Sequence, residues 1–213
     1  MFVKQRMTAT PFTVTPDTTV PDAAATMASH NVRHLPVVVG DEVVGVISKG
    51  DIAAASPSQA TTLSAAEATY LLNRLKVRKI MSSPPITIAP DALLEEAAVL
   101  MRDKKIEMLP VVSNGSLVGV ITESDILDSF IDILGFREHG TRLTVEALDE
   151  PGVLARLTGI TAAHAANITH LAVYRGQLDR SIVVVGLNSL NTDEIERAMG
   201  DAGFAVLAKL ENR

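Results

Sequence analysis

The sequence HLPVVVGDEVVGVISKGDI, at residues 34–52, recurs as MLPVVSNGSLVGVITESDI at residues 108–126. With a shift of 74 residues, the longer segments 7–52 and 81–126 align without a gap, and 18 of their 46 positions are identical. The prolines and glycines stay in register, which indicates that one structural unit has been duplicated. This repeat decides the fold of the N-terminal part of the chain.

Each copy predicts the same order of elements. A short extended segment is followed by a helix, at residues 21–29 and 93–104, and then by two apolar strands joined by a tight turn. A further helix begins near Asp51 or Asp125. Asp91 is expected to cap the helix that begins at residue 93. Each unit alone is too small to bury its sheet, so the two copies should pack together.

The segment between the copies predicts a linking helix. Ser64 and Glu67 have the spacing of a capping box, and an apolar pattern continues to Lys76, which places a packing helix at residues 65–76. We therefore divide the chain into a first repeat at residues 1–56, a linker at 57–79, a second repeat at 80–135 and a C-terminal domain at 140–213.

Composition narrows the function class. The 213 residues are 47% hydrophobic and 21% charged, with a net charge of −6 and no cysteine. This is a globular profile, and it excludes disulfide frameworks and cysteine zinc sites. The negative charge argues against nonspecific nucleic-acid binding. The apolar runs are too short to span a bilayer and no secretory signal is evident, so we expect a cytoplasmic protein with no membrane partner.

The duplicated strand and helix junction resembles the cystathionine-β-synthase (CBS) domain family, in which a tandem pair forms a Bateman module. The residues that carry the resemblance are Gly45 to Asp51 and Gly119 to Asp125, each preceded by a Leu-Pro-Val strand. A Ser or Thr hydroxyl at the strand end can bond a phosphate or ribose oxygen, and an Asp three residues later can accept from ribose hydroxyls. The alternative is that these pairs only cap their helices, a role that is compatible with binding.

The resemblance implies a regulatory adenosine-containing ligand such as AMP, ADP, ATP, NAD or S-adenosylmethionine, with adenine in an apolar slot. No cofactor is required. The implied nucleotide-binding residues are Thr10, Pro11, Phe12, Arg33, His34, Leu35, Pro36, Ser48 and Asp51, with Pro84, Pro85, Ile86, Met108, Leu109, Pro110, Thr122 and Asp125 from the second copy.

The two copies differ in charge. Arg33-His34 precedes the first Leu-Pro pair, whereas Glu107-Met108 precedes the second. Basic residues suit a phosphate and acidic ones disfavour it, so we predict an asymmetric module in which one site prefers a phosphorylated nucleotide. The packing could place Arg33 near either site. Its alternative role is that of a solvated edge residue.

The C-terminal residues predict the order βαββαβ of a ferredoxin-like domain, so the whole chain is of mixed α+β and α/β class. In this region Asp149, the run Pro151-Gly152-Val153-Leu154 and the pair Asn167-Ile168 resemble an ACT domain, a regulatory fold that often binds amino acids in the loop before its first helix. The residues implied in a ligand site are Asp149, Gly152, Val153, Leu154, Asn167 and Ile168. Because Ala166 stands where a glycine often precedes the Asn-Ile pair, dimerisation without a ligand is an equal alternative. Two CBS-like units followed by an ACT-like unit resemble the acetoin-utilisation AcuB-type family.

No residues suggest catalysis. The sequence has no phosphate loop and no nucleophile elbow. His30 and His34 are four residues apart, but Pro36 argues against a continuous helix there and a third ligand is not evident, so we expect no metal site and no catalytic residue. The leading hypothesis is therefore a non-catalytic sensor that forms a homodimer. The alternatives are a ligand-independent, dimeric interaction scaffold that regulates a partner enzyme and an enzyme of unknown reaction.

Overall fold

The duplicated sequence folds into duplicated structure. The computed structural model describes residues 1–55, 64–176 and 179–212, and by its internal contacts the chain divides into two units, Met1–Ile126 and Leu127–Arg213. Residues 56–63, which include the first part of the predicted linker at 57–79, lie outside the described residues, as do residues 177–178 and 213.

Each repeat of the first unit contains a helix, a β-hairpin and a second helix. The first repeat comprises helix α1 (Val20–Ser29), strands β2 (His34–Val39) and β3 (Glu42–Ser48) and helix α2 (Lys49–Ala55). The second comprises α4 (Leu94–Lys104), β4 (Met108–Ser113), β5 (Ser116–Thr122) and the start of α5 (Glu123–Ile133), a helix that continues past Ile126 into the second unit. Helix α3 (Ala65–Arg74) lies between them, and the short strand β1 (Thr8–Ala9) precedes α1.

Local sequence explains where the helices begin. The Thr19 hydroxyl accepts a hydrogen bond from the Asp22 amide at the start of α1, and Pro21 lies in the first turn, where its missing N–H costs nothing. The predicted Ser64–Glu67 capping box at the start of α3 is confirmed. The expectation for Asp91 is wrong: Leu93 is the N-cap of α4 and Asp91 pairs with Lys4 instead.

The segment before each repeat crosses over to the other repeat. Val3 lies in a 3-10 helix (Val3–Gln5) and donates its amide hydrogen to Ala92, while its counterpart Val77, in a second 3-10 helix (Val77–Lys79), donates to Thr18. The two distances are both 3.0 Å. Each valine is fully buried in the core of the other repeat. Sequence neighbours and spatial neighbours therefore differ at the start of each copy.

The two cores are built from equivalent residues. Five buried side chains from α1, β2 and β3 match five from α4, β4 and β5 at the 74-residue shift, and each set packs on the crossing valine of the other repeat. The first core contains Val14, Ala23, Met27, Leu35, Val37, Ile47 and Val77, and the second contains Val3, Leu94, Ala97, Met101, Leu109, Val111 and Ile121. The hairpin β2–β3 forms a two-stranded sheet, and β1 adds to the hairpin β4–β5 in the order β1-β5-β4.

The second unit has the predicted βαββαβ order. It runs through β6 (Gly140–Leu148), α6 (Val153–Ala163), β7 (Ile168–Arg175), β8 (Arg180–Leu187), α7 (Asp193–Asp201) and β9 (Ala205–Asn212). The four strands form an antiparallel sheet in the order β7-β8-β6-β9. Leu143, Val145, Val183 and Val185 from the central strands pack with Leu157 of α6 to form its core. The predicted mixed α+β fold class is confirmed.

No helix in the described part of the chain is both long enough and apolar enough to cross a membrane.

Candidate functional site

Two cavities of the first unit are each lined by residues of both repeats. Cavity A, of about 300 Å³, is lined by the Ser48 and Asp51 pair of the first repeat and the Pro84-Pro85-Ile86 segment of the second. Cavity B, of about 270 Å³, is lined by Thr122 and Asp125 and by the segment Thr10-Pro11-Phe12. The polar motif of one repeat thus meets the apolar segment of the other.

The lining of the two cavities follows the sequence repeat. Every residue that lines cavity A has its counterpart, 74 positions away, in the lining of cavity B. Cavity A is lined by His34, Val46, Ser48, Asp51, Ser82, Pro84, Pro85, Ile86, Lys105, Ile106, Glu107 and Met108. Cavity B is lined by Thr8, Thr10, Pro11, Phe12, Asn31, Val32, Arg33, His34, Leu35, Pro36, Met108, Val120, Thr122, Ser124 and Asp125.

The Ser/Thr and Asp pairs hold each other in place. The Ser48 hydroxyl and amide donate to Asp51 Oδ2 at 2.7 and 2.8 Å, and the Asp51 amide donates back to the hydroxyl at 3.1 Å. Thr122 and Asp125 repeat this geometry with 2.7, 2.8 and 3.3 Å. These reciprocal bonds cap α2 and α5, so the capping role is real. They also fix a carboxylate at the wall of each cavity, half-buried and ready to accept from a hydroxyl.

The two cavities meet at His34 and Met108, which line both. These residues are counterparts in the repeat, so an imidazole and a thioether occupy equivalent positions where the two cavities meet. Desolvation by burial lowers the pKa of His34, and the Arg33 charge acts in the same direction. Glu107, Asp51 and Glu123 oppose this shift. Burial prevails, which favours the neutral imidazole.

The residues that precede the two Leu-Pro pairs have opposite charges and line different cavities. Arg33 lines cavity B and Glu107 lines cavity A. The charge difference between the two copies of the sequence is therefore also a difference between the two linings. Cavity A also contains Lys105, whose counterpart in cavity B is the uncharged Asn31.

Some implied residues lie elsewhere. Leu109 and Pro110 are buried, and Leu109 belongs to the core of the second repeat. Asn31 and Lys105 were not predicted to line a cavity; both have left-handed backbone conformations, with φ of 51° and 56°. Ser82 and its counterpart Thr8 were not predicted either, because they lie where the segments before the repeats cross, and local patterns do not reveal that crossing.

Comparison with known families identifies this arrangement. The profile of the CBS domain matches residues 3–58 and 77–132, more than half of the chain. The chain belongs to the CBS domain family. The profile of the TTHA0829-like ACT domain matches residues 139–209, so the tandem CBS pair is followed by an ACT domain.

Solved CBS structures agree with this family assignment. A Vibrio cholerae protein named as an acetoin utilization protein (AcuB) is 31% identical, with a TM-score of 0.53 over 64% of this chain and 94% of its own. The CBS domain pair of protein MJ0100, in complex with 5′-methylthioadenosine and S-adenosyl-L-methionine, is 28% identical, with a TM-score of 0.51 over 61% of this chain and 99% of its own. CBSX2 in complex with AMP is 28% identical, with a TM-score of 0.53 over 62% and 97%.

Related sequences include proteins of different architecture. A CBS domain-containing protein of Dictyostelium discoideum is 35% identical over 63% of this chain and 94% of its own length. An inosine-5′-monophosphate dehydrogenase of Korarchaeum cryptofilum is 33% identical over 65% of this chain, but the match spans only 26% of that enzyme. The region similar to this chain therefore makes up nearly all of the first relative and about a quarter of the second.

The ACT domain places its implied ligand residues in two environments. Asp149, Gly152 and Asn167 are exposed, whereas Val153 is buried in the core and Ile168 packs against it. Gly152 has a φ of 89° and leads into α6. A cavity of about 120 Å³ in this domain is lined by other residues: His164, Ala165, Ala166, Ser189, Asn191, Glu194 and Ile195. In residues 1–55, 64–176 and 179–212, no three His, Asp or Glu side chains are grouped so that they could hold a metal ion.

Proposed function

We propose that this protein is a non-catalytic regulator whose CBS pair binds adenosine-containing ligands in cavities A and B. The observation that carries the proposal is that each cavity joins a capped Ser/Thr and Asp pair to an apolar segment of the opposite repeat. Such a wall offers an acceptor for ribose hydroxyls and an apolar surface for adenine. The similar CBS pairs solved with AMP or with S-adenosyl-L-methionine support this class of ligand.

We further propose that cavity B prefers the phosphorylated ligand. Arg33 supplies a guanidinium there, which suits phosphate oxygens. Phe12 also lines this cavity, and one face of its ring stacks on His30 with a centroid distance of 3.5 Å. Because stacking on His30 holds the Phe12 ring in place, the ring offers a flat surface against which a base can stack. In cavity A the counterparts are Glu107 and Ile86, which provide a carboxylate and an aliphatic surface.

A ligand acts as a regulator only when it binds one arrangement of the protein better than another. Each cavity is lined by both repeats, so a bound molecule would change the free energy of their packing. We propose that the ligand regulates the protein by changing how the two repeats pack. We also propose that the ACT domain binds a small metabolite or mediates dimerisation.

Calorimetry with AMP, ATP, NAD and S-adenosylmethionine tests the proposal, using wild type and the variants Asp51→Asn and Asp125→Asn. Each variant should lower the affinity of its own cavity for the ligand by about tenfold, because a charged hydrogen-bond acceptor is lost. Asp22→Asn is the matched control: Asp22 exchanges hydrogen bonds with the hydroxyl of Thr19, the N-cap of α1, but lines neither cavity. It should leave affinity unchanged.

Native mass spectrometry of freshly purified protein would add the mass of any retained ligand and of the oligomer, and so test the predicted homodimer. If none of the four compounds binds and no retained ligand is found, while the protein still associates with a partner enzyme, the sensor proposal fails in favour of a ligand-independent scaffold.

A further inference from the structure

One carboxylate connects the two cavities. Glu107, which lines cavity A, has its Oε2 atom 3.9 Å from Arg33 Nη1 and 3.7 Å from His34 Nε2. Arg33 lines cavity B, and His34 lines both. Residues 33 and 107 are counterparts in the repeat, so the two copies carry opposite charges at this position. Arg33, which lines cavity B, therefore forms an ion pair with Glu107, which lines cavity A.

Arg33 is accessible both to Glu107 and to a ligand in cavity B. Its side chain is 61% exposed and that of Glu107 is 53% exposed, so the pair is loose and solvated rather than locked. A phosphate in cavity B is a stronger partner for a guanidinium than a carboxylate at 3.9 Å. A phosphate would therefore draw Arg33 toward cavity B and leave the negative charge of Glu107 less compensated.

The ionisable side chains of cavity A set its net charge. They are Asp51, Lys105, Glu107 and His34. Burial lowers the pKa of His34, which favours its neutral form. With His34 neutral, these groups carry one net negative charge, while Arg33 and Asp125 of cavity B balance each other. When Glu107 loses its compensation by Arg33, cavity A becomes more favourable for a cation.

We infer that the two cavities are coupled through the Arg33–Glu107 pair, so that an anionic adenosyl ligand in cavity B strengthens the binding of a cationic adenosyl ligand in cavity A. This inference rests on the proposed function, because it requires that both cavities bind ligands. Coupling of this kind is reciprocal: the cationic ligand must raise the affinity for the anionic one by the same factor. The exposure of the pair limits that factor to about twofold to fivefold.

The test is a pair of calorimetric titrations at low ionic strength, where screening is weakest. S-adenosylmethionine, which carries a sulfonium cation, is titrated into the full-length protein with and without saturating AMP. Its uncharged relative 5′-methylthioadenosine is titrated in the same way. We expect AMP to strengthen S-adenosylmethionine binding by about twofold to fivefold and to leave 5′-methylthioadenosine binding unchanged.

Glu107→Gln keeps the shape of the side chain but removes its charge. AMP and S-adenosylmethionine should still bind to this variant, but AMP should no longer strengthen the binding of S-adenosylmethionine. Glu123→Gln is the matched control, since Glu123 also acts on the His34 charge but lines neither cavity; it should keep the coupling.

Three results would overturn the inference: no effect of AMP in wild type although both ligands bind, the same effect in Glu107→Gln, or displacement of S-adenosylmethionine by AMP, which would mean that the ligands share a cavity. Absence of binding by every ligand is a different result, and it would refute the proposed function itself.

Discussion

Gly45 of β3 lies against Met81, so closely that a Cβ atom on Gly45 would be 2.8 Å from Met81 Sδ and 2.9 Å from the Ser82 carbonyl oxygen. Gly119 has the same relation to Met7, with distances of 2.8 Å to its sulfur and 2.9 Å to the Thr8 carbonyl oxygen. These glycines are where the crossing segments meet the hairpins. The glycine of each Val-Gly-Val strand thus serves the contact between repeats.

Gly45→Ala should lower the free energy of unfolding by about 1–3 kcal/mol, because the added methyl group forces the Ser82 backbone away from β3. Gly159→Ala is the control. Gly159 lies inside α6 with nothing within 4 Å of an added Cβ, so alanine should raise stability by about 0.5–1 kcal/mol through helix propensity. Urea denaturation measures both. Equal stability of Gly45→Ala and wild type would show that the crossing segment can shift without cost.

The crossing also predicts a non-local effect of mutation. Val3→Ala should cost about 1–3 kcal/mol, and the loss of amide protection should appear first in α4 and β4 of the second repeat, where Val3 is buried. Val77→Ala should do the reverse and expose α1 and β2. Hydrogen exchange with mass spectrometry resolves the two patterns. Loss of protection in the repeat nearest in sequence would contradict the observed packing.

The features that depend on periodicity and duplication are predictable from the sequence. The helices, the hairpins and the βαββαβ domain follow from local apolar patterns, and the 74-residue shift places Ser48 with Thr122 and Asp51 with Asp125. The crossing is not predictable in this way, because an apolar valine such as Val3 is equally suited to the core of either repeat. Which residues line each cavity, including the position of Arg33 in cavity B, depends on which repeat each crossing segment packs against.

Arg33→Gln should weaken AMP binding by about fivefold to tenfold, because a charge-assisted hydrogen bond to the phosphate is lost. Binding of 5′-methylthioadenosine, which has no phosphate, should change little. Arg102→Gln is the control, because Arg102 is exposed, pairs with Asp103 and lines neither cavity. Calorimetry of the three proteins with the two ligands checks the prediction. An equal loss for both ligands would mean that Arg33 supports the shape of the cavity rather than the phosphate.

His34 should make the stability of the protein dependent on pH. Burial lowers its pKa in the folded state below the ordinary value of 6.5, and this outweighs the raising effect of Glu107, Asp51 and Glu123. As the pH falls below 6.5, the unfolded chain therefore takes up the proton before the folded protein does. The contribution of His34 to stability is constant above that pH and is lost progressively down to the folded-state pKa.

Chemical denaturation of wild type and of His34→Met, between about pH 7.5 and about pH 5.5, measures this contribution. Methionine is the residue that the second repeat has at the equivalent position, so the substitution introduces a side chain that already fits this kind of environment. We expect the variant to lose less stability than wild type as the solution is acidified. His139→Gln, at an exposed position, should retain the dependence of wild type. If His34→Met and wild type lose the same free energy, acid destabilisation comes from other groups and His34 titrates alike in both states.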